Sequence, residues 1–362
     1  MSKTVLILGG SFAGLHVAHA LLKKRIKGVK VILVSKSTHI YWNLASVRAI
    51  IPGQIKDDDI FKPLEEALAR YPAESRELVI GSATRADFDA KTVEVAVGDG
   101  TARTISYDQL VLATGARTHP DAPWKATGSY EQALAALHAT SAKVKEARHI
   151  VVAGAGGTGI EVAGELGYEY GKSKEIVLLC AGDKLADGHG IADAAANELK
   201  KLNVTIRYGA RAAEVRPSGS GTGKTDVVLA GGETISTDLY LPTTGQREPA
   251  PGTVVVNEYL RVADARDVWA CGDVVGQPRA GFFITQKQAA SVARNVEAAL
   301  AGLEPTVAKG LPVDIFACAV GRSRGVGRVN NSIRLPSFVV WLAKGRNLGI
   351  PMLKGYIDGS VA

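Results

Sequence analysis

Two glycine-rich turns, each placed between an apolar strand and a helix, constrain this 362-residue chain more than any other feature. GGSFAG occupies residues 9–14, and GAGGTG occupies residues 154–159. Each follows an apolar run typical of a buried strand, at residues 4–8 and 149–153, and precedes apolar residues at helical spacing. This order aims free backbone N–H groups and the positive end of a helix dipole at one point, where a pyrophosphate binds. The sequence therefore predicts two dinucleotide-binding units.

Further apolar runs at residues 29–34 and 176–179 complete two βαβ units about 145 residues apart. At roughly 150 residues per domain, the length also predicts two to three domains. We predict an α/β fold with two Rossmann-like dinucleotide-binding domains and a C-terminal region.

The two turns differ in how well they match the dinucleotide fingerprint. GAGGTG meets G-x-G-x-x-G in full, whereas GGSFAG departs at its second glycine, where Ser11 stands. A small residue there is compatible with a pyrophosphate. We expect both turns to bind a dinucleotide.

The acidic residue that usually grips a ribose, about 20 residues further on, is missing from both units. Ser35 and Lys36 stand there in the first unit, and Cys180 in the second, followed by Asp183 and Lys184. A carboxylate at the second site would repel the 2′-phosphate of NADPH. Its absence predicts that NADPH is accepted, with Lys184 as a phosphate partner.

Cysteine and apolar patterns exclude several classes of protein. Three Cys stand at positions 180, 271 and 318, so the chain has no C-x-x-C motif and no disulfide framework. We expect a reducing, intracellular location, cytoplasmic or peripheral on an intracellular membrane. The N-terminus lacks a secretory apolar core and no run of 18 apolar residues occurs, so we expect neither secretion nor a transmembrane segment. The seven His lack metal-ligand spacing, so we expect no metal site.

One further glycine-rich stretch, PSGSGTGKT at residues 217–225, ends like a phosphate-binding P-loop. The motif G-x-x-x-x-G-K-[ST] needs Gly at position 218, where the chain has Ser218. We predict the tip of a β-hairpin instead.

Basic residues are concentrated in the C-terminal tail. The formal net charge is +7, and residues 303–362 hold eight Lys/Arg against three Asp/Glu. The tail contains FVVWLAKGR at residues 338–346, and such an apolar cluster with Trp and basic residues is typical of a segment at a lipid surface. A strand and helix that cover a cofactor have the same pattern, so both interpretations stay open. Few aromatic residues separate the basic ones, so we do not expect nucleic-acid binding.

Three further segments complete a known pattern. They are YDQLVLATG at residues 107–115, DLYLPTTG at 238–245 and LRVADARDVWACGD at 260–273. With the two turns they resemble, in order, the two-dinucleotide-binding flavoprotein family, which binds FAD in one domain and NAD(P)H in an inserted one. IYWNLASVRAIIPG at 40–53 and GGTGIEVAGEL at 156–166 resemble its apoptosis-inducing-factor-like branch, which includes ferroptosis suppressor protein 1. The resemblance implies FAD as cofactor and NADH or NADPH as electron donor.

The resemblance also implies which residues contact the cofactors. For FAD they are Gly9, Gly10, Ser11, Phe12, Ala13, Gly14, Ser35, Lys36, Arg48, Ala113, Thr114, Gly115, Gly272 and Asp273. For NAD(P)H they are Gly154, Gly156, Gly157, Thr158, Gly159, Glu161, Asp183, Lys184, Thr244 and Gly245.

Three residues are catalytic candidates. Glu161 stands in the G-x-E phrase that, in the branch, lies near flavin and nicotinamide; a first-turn Glu stabilised by the helix dipole is the alternative. We expect Arg48 to pair with Glu161 or to draw electron density at the flavin, unless it lies on a solvated helix. Lys287 is expected to point at the pyrimidine end of the flavin.

The resemblance favours one electron acceptor and leaves two alternatives. Disulfide reductases of the family carry a C-x-x-x-x-C pair after the first βαβ unit, and this chain has no Cys before Cys180. Electrons therefore cannot leave through a dithiol, and the resemblance implies direct transfer from flavin to a quinone. The alternatives are a reductase of a small electron-transfer protein, which a basic tail suits, and a redox-sensing, nucleic-acid-binding flavoprotein. The sequence does not determine the oligomeric state.

The predicted domains follow the family's insertion pattern. Residues 1–118 and 246–302 form the FAD domain, and residues 119–245 form the NAD(P)H domain. Residues 303–362 form a C-terminal region that covers the flavin or contacts a membrane or the acceptor.

Overall fold

Buried apolar strands form two parallel sheets, as the two strand–turn–helix patterns predict. The computed structural model describes residues 2–98, 100–116, 122–126, 128–188, 190–219, 223–244, 253–278, 280–330 and 333–362. The strands are β1 (Lys3–Leu8), β2 (Val29–Ser35), β3 (His39–Tyr41), β4 (Phe61–Pro63), β5 (Arg76–Asp87), β6 (Thr92–Val97), β7 (Thr101–Ser106), β8 (Gln109–Leu112), β9 (His149–Ala153), β10 (Glu175–Leu179), β11 (Val204–Arg207), β12 (Ala212–Pro217), β13 (Thr225–Leu229), β14 (Thr234–Thr237), β15 (Leu239–Pro242), β16 (Val268–Ala270), β17 (Ile315–Val320), β18 (Arg324–Val329) and β19 (Ile333–Leu335). The α-helices are α1 (Phe12–Lys23), α2 (Ser46–Ala49), α3 (Asp57–Ile60), α4 (Leu64–Leu68), α5 (Tyr130–Glu146), α6 (Gly157–Tyr170), α7 (Ala192–Lys201), α8 (Phe282–Leu300), α9 (Ser337–Val340) and α10 (Leu353–Ile357). A π-helical turn, Trp341–Gly345, continues α9.

The first sheet has the strand order β16-β8-β1-β2-β5-β6-β7. Its first five strands pair in parallel, and β5, β6 and β7 extend it as antiparallel hairpins. Val5, Leu6 and Ile7 of β1 are fully buried, because a parallel strand covered on both faces needs a continuous apolar run rather than alternation. Helix α1 crosses from β1 to β2, which places the 9–14 turn at the carboxyl end of β1.

The second sheet has the order β11-β10-β9-β15, with all pairs parallel. Helix α6 crosses from β9 to β10 and begins at Gly157, within the second glycine turn. A small antiparallel sheet, β12-β13-β14, lies beside it. Pro217 pairs with Thr225, so the predicted hairpin is confirmed, although its tip, 220–222, lies outside the described residues.

The chain leaves the first sheet after β8 and returns to it at β16. All four strands of the second sheet fall between these two points. This order is that of one dinucleotide-binding unit inserted in another. The predicted boundaries at 118/119 and 245/246 fall beside residues 117–121 and 245–252, which lie outside the described part, and they stay predictions.

The C-terminal region reaches both units. The antiparallel sheet β17-β18-β19 packs on α6, and α10 packs on α1 and α4. In α1, His19 Nε2 lies 2.6 Å from the carbonyl oxygen of Tyr356 and His19 Nδ1 lies 2.8 Å from the Tyr71 hydroxyl. A carbonyl only accepts, so Nε2 carries the hydrogen and the Tyr71 hydroxyl donates to Nδ1. A neutral His19 therefore ties the C-terminal segment to α1.

Stability is expected to fall in mild acid, because two histidines of α1 are buried in neutral form. Burial lowers the pKa of His16 and of His19 to about 4. The unfolded chain then binds more protons below its own histidine pKa near 6.5, so the free energy of unfolding is complete above about pH 6.5 and declines towards pH 4. Each pKa unit corresponds to about 1.4 kcal/mol.

Urea unfolding between pH 7.5 and pH 4.5 measures this loss. His16 Nδ1 has no hydrogen-bond partner, so His16→Met removes a titrating group without breaking a hydrogen bond at that atom. We expect the free energy of unfolding to decline less steeply with falling pH in this variant. His138→Asn, at an exposed position, is the control. Equal slopes in His16→Met and the unchanged protein would contradict the assignment.

Candidate functional site

The first glycine turn closes against the strand that returns past it. Gly9 has φ +117, and a Cβ there would lie 2.2 Å from the Ala113 carbonyl oxygen. A Cβ on Gly14 would lie 1.8 Å from the Gly9 carbonyl oxygen. Ser11 precedes α1 and makes no side-chain capping hydrogen bond. The turn is thus packed as only glycine allows, and the first N–H groups of α1 are not capped by Ser11, which fits the pyrophosphate of FAD.

The second glycine turn repeats this geometry. Gly154 has φ +110, and a Cβ there would lie 2.9 Å from Thr244 N. A Cβ on Gly159 would lie 1.7 Å from the Gly154 carbonyl oxygen, whereas a Cβ on Gly156 would meet no atom within 4 Å. The open space at Gly156, before α6, lets a phosphate approach the backbone. The turn fits NAD(P)H, while the predicted Gly245 lies outside the described residues.

The serine that replaces the ribose-binding acid in the first unit contacts its own turn. Ser35 is buried, and its hydroxyl donates to the Ser37 carbonyl oxygen at 2.7 Å. A Cβ on Gly10 would lie 2.6 Å from Ser35 Oγ. Lys36 and Thr114 are exposed beside the strand ends, and Gly115 has φ +72 with open space around it. Gly10 and Ser35 therefore fit each other closely, and Lys36 is the exposed side chain after β2.

The loop after β10 exposes the residues predicted to meet the adenosine end of NAD(P)H. Cys180 is buried, and its thiol donates to the Lys184 carbonyl oxygen at 3.3 Å. Asp183 and Lys184 are exposed. The Cys180 contact fixes the backbone at Lys184, whose side chain is exposed, and its contact with a 2′-phosphate stays a prediction.

We expect the protein to turn over with NADPH, and Lys184→Glu to raise the KM for NADPH about tenfold, the loss of one charge-assisted contact. The KM for NADH should change little, because NADH lacks the 2′-phosphate. Steady-state kinetics with both nucleotides measure this, with Lys172→Glu, at an exposed position, as control. A strong preference for NADH in the unchanged protein would contradict the prediction.

Gly272 and Asp273 lie in a loop held by two residues that the sequence did not indicate. The Gly272 N–H donates to Gln288 Oε1 at 2.8 Å, and Gln288 Nε2 donates to the Gln277 carbonyl oxygen at 2.8 Å. Asp273 Oδ2 forms an ion pair with Lys125 Nζ at 2.6 Å. A Cβ on Gly272 would lie 3.1 Å from Ala13 Cβ. The loop is therefore fixed against the first glycine turn, where the resemblance implies the ribityl chain.

The carboxylate of Glu161 is held by the C-terminal region. Glu161 is 6% exposed, and its Oε1 accepts from the Ala319 N–H at 3.1 Å and from Lys344 Nζ at 2.6 Å. Lys344 Nζ also donates to the Ala317 carbonyl oxygen at 3.1 Å. Burial lowers the pKa of Lys344, but the Glu161 carboxylate outweighs this, so the pKa is raised overall. The pair therefore keeps a charged ammonium against the first turns of α6.

The expected pairing of Arg48 with Glu161 is wrong. Arg48 is buried, and its Nη2 lies 2.7 Å from Oε1 of Glu165, one helical turn after Glu161. Lys344 takes the place beside Glu161. Glu161 and Glu165 share one face of α6 at i, i+4 spacing, so the sequence pattern does not distinguish which of them meets α2.

Lys287 lies outside this cluster of charges, whereas Cys318 of β17 lies beside Glu161 and Lys344. Lys287 is exposed on α8, where it lines a cleft of about 740 Å³ with Leu260 and Leu311; its role stays a prediction. All three cysteines are buried and carry thiols rather than disulfides. Burial raises the pKa of the Cys271 thiol to about 12, and burial together with Glu161 raises that of Cys318. These thiols are packed side chains rather than nucleophiles.

The described ranges contain neither a membrane-spanning helix nor a metal-binding cluster. No helix there is both long and apolar enough to cross a bilayer. No group of three or more His, Cys, Asp or Glu side chains there has an arrangement that holds a metal ion.

Lys344 is the residue of this cluster that sequence reasoning missed. Its signal was a single Lys within the apolar run of the tail, between Ala343 and Gly345. A charge inside an apolar helical segment is costly unless it has a partner. The sequence left this segment open between a lipid surface and a cover over a cofactor, and neither interpretation indicates which residue pairs with Lys344.

The family described as pyridine nucleotide-disulphide oxidoreductase matches residues 3–299. The chain belongs to this family. Its matched part includes both glycine turns and the Gly272–Asp273 loop. This oxidoreductase uses FAD and NAD(P)H, and the predicted Rossmann-like fold and flavoprotein resemblance are confirmed.

Similar proteins match this oxidoreductase over nearly its whole length. "Oxidoreductase ptaL" of Pestalotiopsis fici is 36% identical over 375 residues, covering 99% of this chain and 100% of that protein. Ferroptosis suppressor protein 1 of Homo sapiens is 25% identical over 366 residues, covering 95% and 93%.

Solved structures share the fold at low identity. NDH2 of Plasmodium falciparum in complex with NADH has a TM-score of 0.75 at 13% identity, with 98% of each chain covered. The sulfide:quinone oxidoreductase of Aquifex aeolicus has a TM-score of 0.74 at 17% identity, with 100% of this chain and 93% of that chain covered.

Proposed function

We propose that this oxidoreductase passes electrons from NAD(P)H through FAD directly to a quinone-type acceptor, with no redox disulfide. The observation that carries the proposal is the Lys344–Glu161 ion pair at 2.6 Å. Reduction of a quinone to a hydroquinone consumes two electrons and two protons, whereas a hydride brings two electrons and one proton. The second proton needs a source, and the half-buried ammonium of Lys344, held charged by a carboxylate, is one.

The cysteines support direct transfer. Both thiols of a dithiol route must face the cofactor, yet Cys180, Cys271 and Cys318 are buried in separate parts of the fold. No pair of them is joined. The sulfide:quinone oxidoreductase and NDH2 share the fold of this chain, which is compatible with a quinone acceptor.

The residues of the chain bind and orient the two cofactors and shield the site from water. The redox chemistry between NAD(P)H and the acceptor is that of bound FAD. The turns at 9–14 and 154–159 hold the two pyrophosphates, and Phe316 and Cys318 of β17 lie against Gly157, where a Cβ would be 3.4 Å from each. This cover keeps water from the start of α6, and Lys344 delivers its proton to the acceptor oxygen from within it.

The test records the visible spectrum of the purified protein, adds NADPH or NADH without oxygen, and then adds a short-chain ubiquinone. We expect flavin absorbance that bleaches with the nucleotide and returns at once with the quinone. If the flavin absorbance bleaches with the nucleotide but does not return with the quinone, the acceptor is a protein or the flavin serves as a redox sensor. Return with a ferredoxin or rubredoxin, lost steeply as salt rises, would identify the protein acceptor. Absence of flavin would contradict the assignment of the first glycine turn.

We propose, in addition, that the C-terminal region contacts a membrane peripherally through one helix face. Phe338 is 68% exposed and Leu342, four residues later, is 58% exposed, with Val339 beside them. Arg324 and Arg346 are exposed on the flanking chain. An apolar helix face beside basic side chains fits the surface of an anionic bilayer.

Flotation with vesicles of phosphatidylcholine and phosphatidylglycerol tests this contact. We expect the protein to float, and Phe338→Asp/Leu342→Asp to stay in the dense fraction. Leu303→Asp, at another exposed apolar position, is the matched control and should float. Equal flotation of all three proteins would refute the face, and a dimer that the double variant dissociates would assign it to a second copy.

A further inference from the structure

The buried Arg48 contacts both segments that carry the Lys344–Glu161 pair. Arg48 Nη2 donates to the Gly345 carbonyl oxygen at 2.7 Å, and Nη1 donates to the Arg346 carbonyl oxygen at 3.1 Å. These carbonyls directly follow Lys344. On its other edge, Arg48 Nε and Nη2 donate to Glu165 Oε1 at 3.0 and 2.7 Å. One guanidinium therefore contacts the segment of Lys344 and the helix of Glu161 at once.

The turn that bears Lys344 has unusual geometry. Trp341–Gly345 is π-helical, and the Arg346 N–H donates to the Trp341 carbonyl oxygen at 2.7 Å. A π-helical turn contains one extra residue and leaves carbonyls that the helix does not satisfy, and such turns recur at functional sites. Arg48 satisfies two of these carbonyls and places positive charge at the carboxyl end of the turn, where the dipole favours it.

Glu165 lies between two cations. It is fully buried, and its Oε2 lies 3.4 Å from Arg322 Nε of the β17–β18 turn. Arg322 also pairs with Glu169 at 2.8 Å. Close packing fixes the register, because a Cβ on Gly164 would lie 2.8 Å from Gly321 N. The charge of Glu165 compensates both the buried Arg48 and the half-buried Arg322.

We infer that Arg48 and Glu165 are positioning residues that hold the Lys344 ammonium against Glu161 and tune its acidity by their opposite charges. The inference rests on the proposed function, in which Lys344 supplies a proton. The other charged or titratable groups around the pair are Cys318, Arg322 and Glu169. Neither Arg48 nor Glu165 needs to touch the acceptor, because Arg48 acts through the carbonyls after Lys344 and Glu165 acts through Arg48.

The first readout is the pH profile of quinone turnover, whose alkaline limb follows deprotonation of the donor. Arg48→Gln removes a positive charge, so the limb moves to higher pH, and Glu165→Gln removes a negative charge, so it moves to lower pH. Each shift is roughly one pH unit for a charge about one helical turn away in a protein interior. The double variant Arg48→Gln/Glu165→Gln returns the limb close to its original place and leaves only the half-buried Arg322, which still pairs with Glu169.

The second readout is hydrogen–deuterium exchange of the FAD-loaded protein without turnover. Arg48→Lys keeps the charge and loses the guanidinium fork. We expect faster exchange in the peptide covering 341–348, unchanged exchange in α1, and an unmoved limb. Arg103→Gln, which breaks an exposed ion pair with Glu77, should alter neither readout.

Each outcome decides one claim. Opposite shifts that cancel in the double variant support the inference, and an unmoved limb in both single variants overturns it. If Glu165→Gln fails to fold, Arg48→Gln and the double variant still test the sign of the shift. If Lys344→Met retains the alkaline limb, the proposed proton step fails, whatever Arg48 does. If Lys344→Met loses it while Arg48→Gln leaves it in place, only the positioning role fails.

Discussion

Quinone reoxidises the Lys344→Met protein about 100-fold more slowly than the unchanged protein, within the range typical of a lost general acid. Met fills the space of the Lys344 stem but supplies no proton, and it leaves Glu161 as a buried carboxylate without its cation. Reduction of the flavin by NADPH should change by less than about threefold, because hydride transfer needs no proton from this pair. Stopped-flow absorbance of each half-reaction separates the two steps.

The pH dependence gives the sign of the same effect. The Glu161 carboxylate raises the pKa of Lys344 against the opposing effect of burial, so the ammonium persists to a higher pH than an ordinary Lys and turnover falls only above it. Lys354→Met, at an exposed position of the tail, is the matched control. Slowing of both half-reactions by the same factor would assign Lys344 to the folding of the tail rather than to proton delivery.

Gly14→Ala is expected to lose FAD, and Gly159→Ala is expected to keep FAD and lose reduction by NADPH. The added Cβ would lie 1.8 Å from the Gly9 carbonyl oxygen in the first case and 1.7 Å from the Gly154 carbonyl oxygen in the second. Neither obstacle is a side chain that moves aside, so the backbone of the turn must shift and its N–H groups leave the phosphate. We expect binding weaker by at least about 100-fold, the loss of several charge-assisted hydrogen bonds.

The flavin-to-protein absorbance ratio and the rate of bleaching measure these losses separately. Gly310→Ala, where a Cβ meets nothing within 4 Å, is the control, and circular dichroism checks that each variant folds. Loss of flavin in Gly159→Ala would show that the two turns do not bind independently. Full flavin content in Gly14→Ala would remove the first turn from the FAD site.

Much of the fold could be predicted because its strands, turns and helices are specified by short segments of sequence. A continuous apolar run such as Val5 to Ile7 is compatible with a strand buried on both faces, and a glycine turn followed by helical spacing fixes what comes next. The hairpin at 217–225 followed from the missing glycine at Ser218. The order of the segments along the chain was enough to predict the family.

The ion pairs around Glu161 and Glu165 could not be predicted from local sequence patterns. Glu161 and Glu165 differ by one helical turn, and which of them meets Arg48 depends on where α2 lies across the interface. Lys344 stands 174 residues after Tyr170, the end of α6. Pairings of this kind are decided by tertiary packing, which no period along the sequence encodes. For the same reason, the sequence did not predict that Lys125 and Gln288 hold the Asp273 loop.

Because the turn at Trp341–Gly345 is π-helical, the direction of the Lys344 side chain depends on the number of residues in this segment more than on which side chains they carry. A regular α-helix rotates about 100° per residue, so deleting a single residue such as Ala343 would turn Lys344 away from Glu161 without removing any charge. Point substitutions along the outer face leave that rotation intact. Among relatives, an insertion or deletion of one residue here would therefore separate enzymes that protonate their acceptor from flavoproteins that only pass electrons.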